Sequence, residues 1–215
     1  MADASLDSIR SSIRCFVGLP LPEAWQRGLD VLTQRLAGRL ASRISWTRPG
    51  NWHVTLQFLG EVEQARVAEI AAALRAVAFA PITLHLGGTG FFLPQGAAAH
   101  APRTLWVGLA QGGEACTRLA EAVRVQLGPC GFAPEAREFR PHVTLGRVKT
   151  VVGGDDWKAA GRELAQEFSG AGFGPALVGE MVLWRSVLGP QGPKYAALER
   201  FPARDHGGRP DGRSA

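Results

Sequence analysis

Apolar positions along this chain switch period repeatedly, and each switch marks an element. Ile13 to Leu19 is a nearly unbroken run of strand-forming residues, ended by Pro20 and Pro22. Trp25, Leu29, Leu32, Leu36 and Leu40 then recur at steps of three and four, which predicts an amphipathic helix beginning near Pro22. A short strand, Ile44 to Thr47, and a turn at Pro49-Gly50-Asn51 lead into a strand over Trp52 to Leu59, stopped at Gly60. Val67, Ile70, Leu74 and Val77 form the stripe of a second helix, and Ile82 to Leu86 reads as a strand. Glycines, prolines and small residues predict a long loop from Gly87 to Arg103.

Thr104 to Leu109 returns to strand character. Cys116, Leu119, Val123 and Leu127 mark a third helix, closed by Pro129 and Gly131. His142 to Lys149 is a strand. Past the break at Gly153-Gly154, Trp157, Leu164 and Phe168 outline a fourth helix. Ala176 to Leu188 is a long strand candidate, turned by Gly189 to Pro193 into a hairpin with Tyr195 to Phe201. From Ala203 onward there are no apolar anchors, so residues 203–215 are expected to be a disordered tail on a single domain spanning 1–202. Irregular alternation of strands and helices fits α+β with antiparallel sheets better than a doubly wound parallel fold.

Within this pattern one tetrapeptide occurs twice: His53-Val54-Thr55-Leu56 and His142-Val143-Thr144-Leu145. In a strand, side chains alternate between faces, so each copy presents an imidazole with a hydroxyl and sets two apolar residues behind them. Two such half-sites suit acid–base chemistry. Histidine can give or take a proton near neutral pH, and a threonine hydroxyl two residues on offers a hydrogen-bond donor beside it.

Composition bounds this reading without deciding it. The chain has 215 residues, 46% of them hydrophobic and 20% charged, as an ordinary globular protein does. Its net charge of +5 is compatible with an anionic partner. Cys15, Cys116 and Cys130 lack the paired spacing of a zinc or redox site. No apolar run has the length of a membrane span and Met1 to Arg14 lacks the apolar core of a signal peptide, so a cytoplasmic location and no membrane partner are expected. A monomer is expected as well, on no feature of the sequence.

The two motifs and their flanks resemble the RNA 2',3'-cyclic phosphodiesterases of the bacterial 2'-5' RNA ligase type, within the two-histidine phosphoesterase superfamily. The similarity runs through Arg14 to Pro20, Pro49 to Gly60, Leu105 to Gly108, Phe139 to Val148, Leu183 to Ser186 and Tyr195. At Gln57 the family typically has Lys. The resemblance implies a bilobal α+β fold in which two antiparallel sheets, related by approximate twofold symmetry, face a central cleft with helices outside. It also implies an RNA or oligonucleotide with a 2',3'-cyclic phosphate end as substrate and a 2'-phosphomonoester as product. His53 becomes the proton donor to the leaving 3' oxygen and His142 the base that activates water, with Thr55 and Thr144 on the phosphate. No metal or cofactor is implied. The residues by themselves leave open which histidine takes which role, and the roles exchange in the reverse direction.

Gln57, Arg103, Arg140 and Tyr195 are further candidates for substrate contact. Arg147 is a candidate for phosphate contact beside Arg103 and Arg140, but surface or structural salt pairing is the expectation placed first for all three, and counted along the strand Arg147 falls on the face opposite His142. Phe91 and Phe92 are expected in the core, and His85, His100 and His206 lie outside the motifs and are read as non-catalytic. Among rivals, a metal-dependent phosphoesterase would need carboxylates in the motif strands, and an ATP-dependent ligase would need a phosphate loop or a nucleotidylated lysine; neither is present. A reversible 2'-5' ligase or phosphodiesterase at the same site and a non-catalytic RNA-binding protein stay as alternatives.

Overall fold

The computed structural model describes residues 12–92, 103–132, 138–169, 173–189 and 192–204. Its strands are β1 (Ser12–Pro20), β2 (Arg43–Trp46), β3 (His53–Glu63), β4 (Ile82–Phe92), β5 (Thr104–Gln111), β6 (Val143–Thr150), β7 (Ala176–Val178), β8 (Glu180–Gly189) and β9 (Gly192–Pro202). Among the described residues four α-helices accompany them: α1 (Glu23–Ala37), α2 (Val67–Arg75), α3 (Gly113–Leu127) and α4 (Trp157–Ser169). The strands pair in the order β7-β4-β5-β6-β3-β1-β8-β9, with β2 also on β6, and every pairing is antiparallel. The fold is therefore α+β, as the irregular alternation predicts.

Two halves are visible in that order, one built on β3 and the other on β6. They join at a single ladder position, Val54 opposite Val143. Beyond it β2 takes over the edge of β6, with Trp46 opposite Gly146 and Ser45 opposite Arg147. The two expected sheets are thus one continuous sheet with a narrow seam, and the motif strands sit at that seam. Val54, Val143 and Leu145 are fully buried and Leu56 nearly so, which anchors the apolar faces of both motifs. Each such side chain contributes roughly 1.5–3 kcal/mol by leaving water.

The helices bury the stripes read from the sequence: Trp25, Leu29, Leu32 and Leu36 on α1, Ile70 and Leu74 on α2, Cys116, Leu119, Val123 and Leu127 on α3. On α1, Gly28 makes room for Phe173, whose ring a Cβ there would meet at 2.8 Å. Among the described residues no helix is long and apolar enough to cross a membrane.

Three boundaries differ from the periodicity reading. Gly87 to Phe92 belongs to β4 and not to a loop: Gly88 adopts φ +69° where the β4–β5 register shifts, and the strand continues past this irregularity. Only residues 93–102 of the expected loop lie outside the described residues. The long strand expected from Ala176 divides at Gly179, where the chain leaves β4 of one half (β7) and joins β1 of the other (β8). Ala203 and Arg204, expected in the tail, are held by backbone hydrogen bonds to the carbonyls of Gly179 (2.7 Å) and Phe79 (2.8 Å). The rest of that tail, and the leader before Ser12, lie outside the described residues.

Candidate active site

His53 opens β3, and His142 immediately precedes β6. Both rings are held in the same way. Nδ1 of His53 lies 2.6 Å from the carbonyl of Asn51, and Nδ1 of His142 lies 2.7 Å from the carbonyl of Arg140, each two residues upstream. A carbonyl can only accept, so each Nδ1 carries the proton and each neutral ring keeps a lone pair on Nε2. The supports are themselves fixed. Asn51 donates through Nδ2 to the carbonyl of Pro193 in the β8–β9 hairpin (2.7 Å), and Pro141 restricts Arg140 to extended backbone. Thr47 donates to the carbonyl of Thr144 at 2.9 Å, steadying the second motif.

The Oγ1 of Thr55 stands 2.9 Å from His53 Nε2. It donates to the neutral ring and would accept from the protonated one. Aromatic rings enclose each imidazole: Phe16 (4.7 Å between centroids), Tyr195 (5.2 Å) and Trp184 (5.6 Å) around His53, Phe92 (5.0 Å) and Trp106 (6.3 Å) around His142. This burial pushes His53 down to about 4; the bond to Asn51 opposes the shift, while His142 and Arg147 add like charge. His142 is lowered too, first by burial and then by Arg147, against its bond to Arg140.

Both motifs line one cleft of about 710 Å³, a size suited to a small ligand. His53, Thr55, His142 and Thr144 meet there, and Arg103, Arg147 and Tyr195 join them. None of the described lining residues is an Asp, Glu or Cys. The cleft is thus cationic, with hydroxyl and imidazole donors.

Arg147 corrects the alternation argument. On β6, Trp106 of β5 pairs with Thr144 but Leu105 pairs with Gly146, so Leu145 is an extra residue. This bulge reverses the alternation and returns Arg147 to the side of His142. The same irregularity occurs on β3: Gly18 pairs with Thr55 and Val17 with Gln57, passing over Leu56. There it turns Gln57 inward. Gln57 is 4% exposed, its Oε1 has no partner, and it does not line the cleft, which removes it from the candidate substrate contacts. Phe58 instead lines the cleft, in the position along β3 that Arg147 holds along β6.

Arg140 shows the surface pairing placed first for it: its guanidinium is exposed, lies 3.2 Å from Glu138 and does not line the cleft, while its carbonyl holds His142. Phe91 packs on Trp157 as expected of a core residue, whereas Phe92 stacks on Trp106 and lines the cleft. His85 sits on β4 opposite Gln111, away from the cleft, and His100 and His206 lie outside the described residues. The bulges had no sequence signal other than the repeat itself.

A cleft that offers an anion two hydroxyls, cationic side chains and an imidazole on either side places the molecule among the two-histidine phosphoesterases. The chain belongs to the LigT-like phosphoesterase family, which it matches over residues 19–99 and 107–195. It is 32% identical over 189 residues to the RNA 2',3'-cyclic phosphodiesterase of Archaeoglobus fulgidus, covering 88% of this chain and 99% of that one. It is 36% identical over 157 residues to the Aeropyrum pernix protein of the same name, covering 73% and 85%. A crystal structure of a Thermus thermophilus protein superposes with a TM-score of 0.68 at 26% identity over 91% of this chain and all of that one. The fold is shared as well with E. coli LigT, solved complexed with 3'-AMP, at a TM-score of 0.65, 23% identity and 89% and 98% coverage. On these similarities the chain is an enzyme of the phosphodiesterase class.

Proposed function

We propose that the protein hydrolyses the 2',3'-cyclic phosphate at an RNA end to a 2'-phosphomonoester, by acid–base catalysis between two histidines and without a metal. The observation that carries this reading is the matched pair of imidazoles lining one cleft, each with Nδ1 bound to a carbonyl, so that proton transfer falls to Nε2, which on His53 gives up its bond to Thr55 when substrate binds. Water attacks phosphorus as His142 Nε2 takes its proton. The bond from phosphorus to the 3' oxygen breaks as protonated His53 delivers a proton to that oxygen, leaving a free 3' hydroxyl. Thr55, Thr144 and the Arg147 guanidinium bear on the non-bridging oxygens, where charge accumulates.

Assigning His53 as the acid follows the family resemblance. Its lowered pKa opposes that role, and the substrate phosphate supplies the counter-charge that raises it. The names of the relatives support the substrate, since they are RNA 2',3'-cyclic phosphodiesterases.

The test is turnover of a 2',3'-cyclic nucleotide by EDTA-treated protein, with the product isomer read by phosphorus NMR. Wild type should give the 2'-phosphate, and His53→Ala and His142→Ala should each lose activity by about 100-fold or more. A divalent-metal requirement, or a 3'-phosphate product, would overturn the mechanism.

A further inference from the structure

A second cavity, of about 1090 Å³, opens directly off the catalytic cleft and shares Trp46, Phe58, Arg147 and Tyr195 with it. One wall comes from β1 and the β8–β9 hairpin, the other from β2, the far end of β6 and a polar face of α1. Three cations line it that do not reach the cleft: Arg14 on β1, Arg43 on β2 and Lys149 on β6. Its one carboxylate, Asp30, already accepts from Gln34 at 2.9 Å.

Several cations without a carboxylate partner among the described residues line this groove together. Arginines on the outer faces, Arg27, Arg35, Arg39, Arg66 and Arg75 among them, are each paired with a carboxylate. Arg14, Arg43 and Lys149 have no carboxylate partner among the described residues. Unneutralised cations along one groove keep a standing attraction for a polyanion. At the junction stands Phe58, an aromatic side chain 49% exposed although its neighbours on both sides of β3, Gln57 and Leu59, are buried. A ring held open to solvent beside a cationic track is the combination that holds single-stranded nucleic acid: phosphates follow the charges and a base stacks on the ring.

We propose that this groove binds the RNA strand leading up to the cyclic phosphate, so that the preferred substrate is an oligonucleotide and not a mononucleotide. The last base before the junction stacks on Phe58, and the preceding phosphates lie against Arg14, Arg43 and Lys149. Because Phe58 and Arg147 hold equivalent places on the two motif strands, the twofold site has a ring on one side and a cation on the other. That difference gives the strand one direction of entry. The proposal rests on His53 and His142 being the catalytic pair.

The experiment compares kcat/KM for a 2',3'-cyclic mononucleotide and for a tetranucleotide ending in the cyclic phosphate, across a series of salt concentrations. Wild type should favour the tetranucleotide by 10-fold or more at low salt. The variant carrying Arg14→Gln, Arg43→Gln and Lys149→Gln should lose that preference, with mononucleotide turnover within 2-fold of wild type and a salt slope on the tetranucleotide reduced by about 2. Equal kcat/KM for the two substrates in wild type overturns the groove. So does an unchanged tetranucleotide preference in the variant.

If wild type turns over neither substrate, the proposed chemistry fails on its own. The groove is then read by binding of a fluorescently labelled tetranucleotide with a terminal phosphate: at least 10-fold weaker binding to the triple variant upholds it, and equal binding ends it.

Discussion

Val54 and Val143 face each other at the one ladder position that joins the two halves, and each stands between the histidine and the threonine of its motif. The separation of the half-sites is thus set by backbone pairing, with both valines fully buried behind it. Chemistry that needs an imidazole on each side of a phosphorus atom has its spacing fixed by a main-chain contact. Side-chain changes around the cleft can then alter its lining without moving the two imidazoles apart.

Gly18 is where that arrangement is tightest. A Cβ there would lie 2.5 Å from the carbonyl oxygen of Val54 and 3.1 Å from Trp184. Gly18→Ala should therefore push β3 off β1, costing about 1–3 kcal/mol in a urea unfolding titration, and should lower kcat by displacing His53. Unaltered unfolding and kcat would show that β1 does not set the position of the motif.

Arg147 lowers both histidines by its charge. In Arg147→Gln each ring should move up toward the ordinary histidine value. A base works above its pKa and an acid below, so both limbs of the kcat/KM profile should shift to higher pH. Losing a cation from the phosphate should also reduce kcat/KM by about 100-fold. A reduced rate with an unmoved pH profile would separate the phosphate contact from the charge effect.

The threonines should matter through their hydroxyls alone. Thr55→Val and Thr144→Val retain the β-branch and remove a donor to the phosphoryl group, and each should lower kcat by about 10-fold to 100-fold. Thr→Ser at the same positions should retain most of the rate. Equal losses in the Val and Ser variants would assign the threonines a packing role.

His53 also ties stability to pH. Its folded value of about 4 lies below the ordinary 6.5, so between these the native state binds fewer protons than the unfolded chain. The stabilisation is complete above pH 6.5 and drains away as pH falls toward 4, by on the order of 3 kcal/mol. Urea midpoints measured from pH 7 to pH 4 should fall more steeply for wild type than for His53→Gln, which cannot titrate.

The helices and most strands were legible because their apolar residues keep a regular period, as Trp25, Leu29, Leu32 and Leu36 do on α1. Both motif histidines were legible because the tetrapeptide repeats. What escaped were departures from regularity. The extra residues at Leu56 and Leu145 reverse the alternation, so Arg147 enters the cleft and Gln57 leaves it, and neither leucine differs in type from one in an unbroken strand. Gly179 hides another such point: a single residue moves the chain from one half of the sheet to the other, inside what reads as one long strand. The part Arg140 plays through its main chain, holding His142, leaves no mark in the sequence.

The crossing at Gly179 has a consequence in time. The ladder of β4, β5 and β6 comes from residues 82–150, in order, so the half bearing His142 can close as soon as that stretch emerges from a ribosome. The half bearing His53 cannot. Its β1 waits for β8, where Arg14 meets Ser186, and the rings of Trp184 and Tyr195 that enclose His53 arrive with β8 and β9. Contacts of such long sequence separation make that side slow to fold. In a growing chain the surroundings of His53 are therefore completed last, with the docking of β8 and β9.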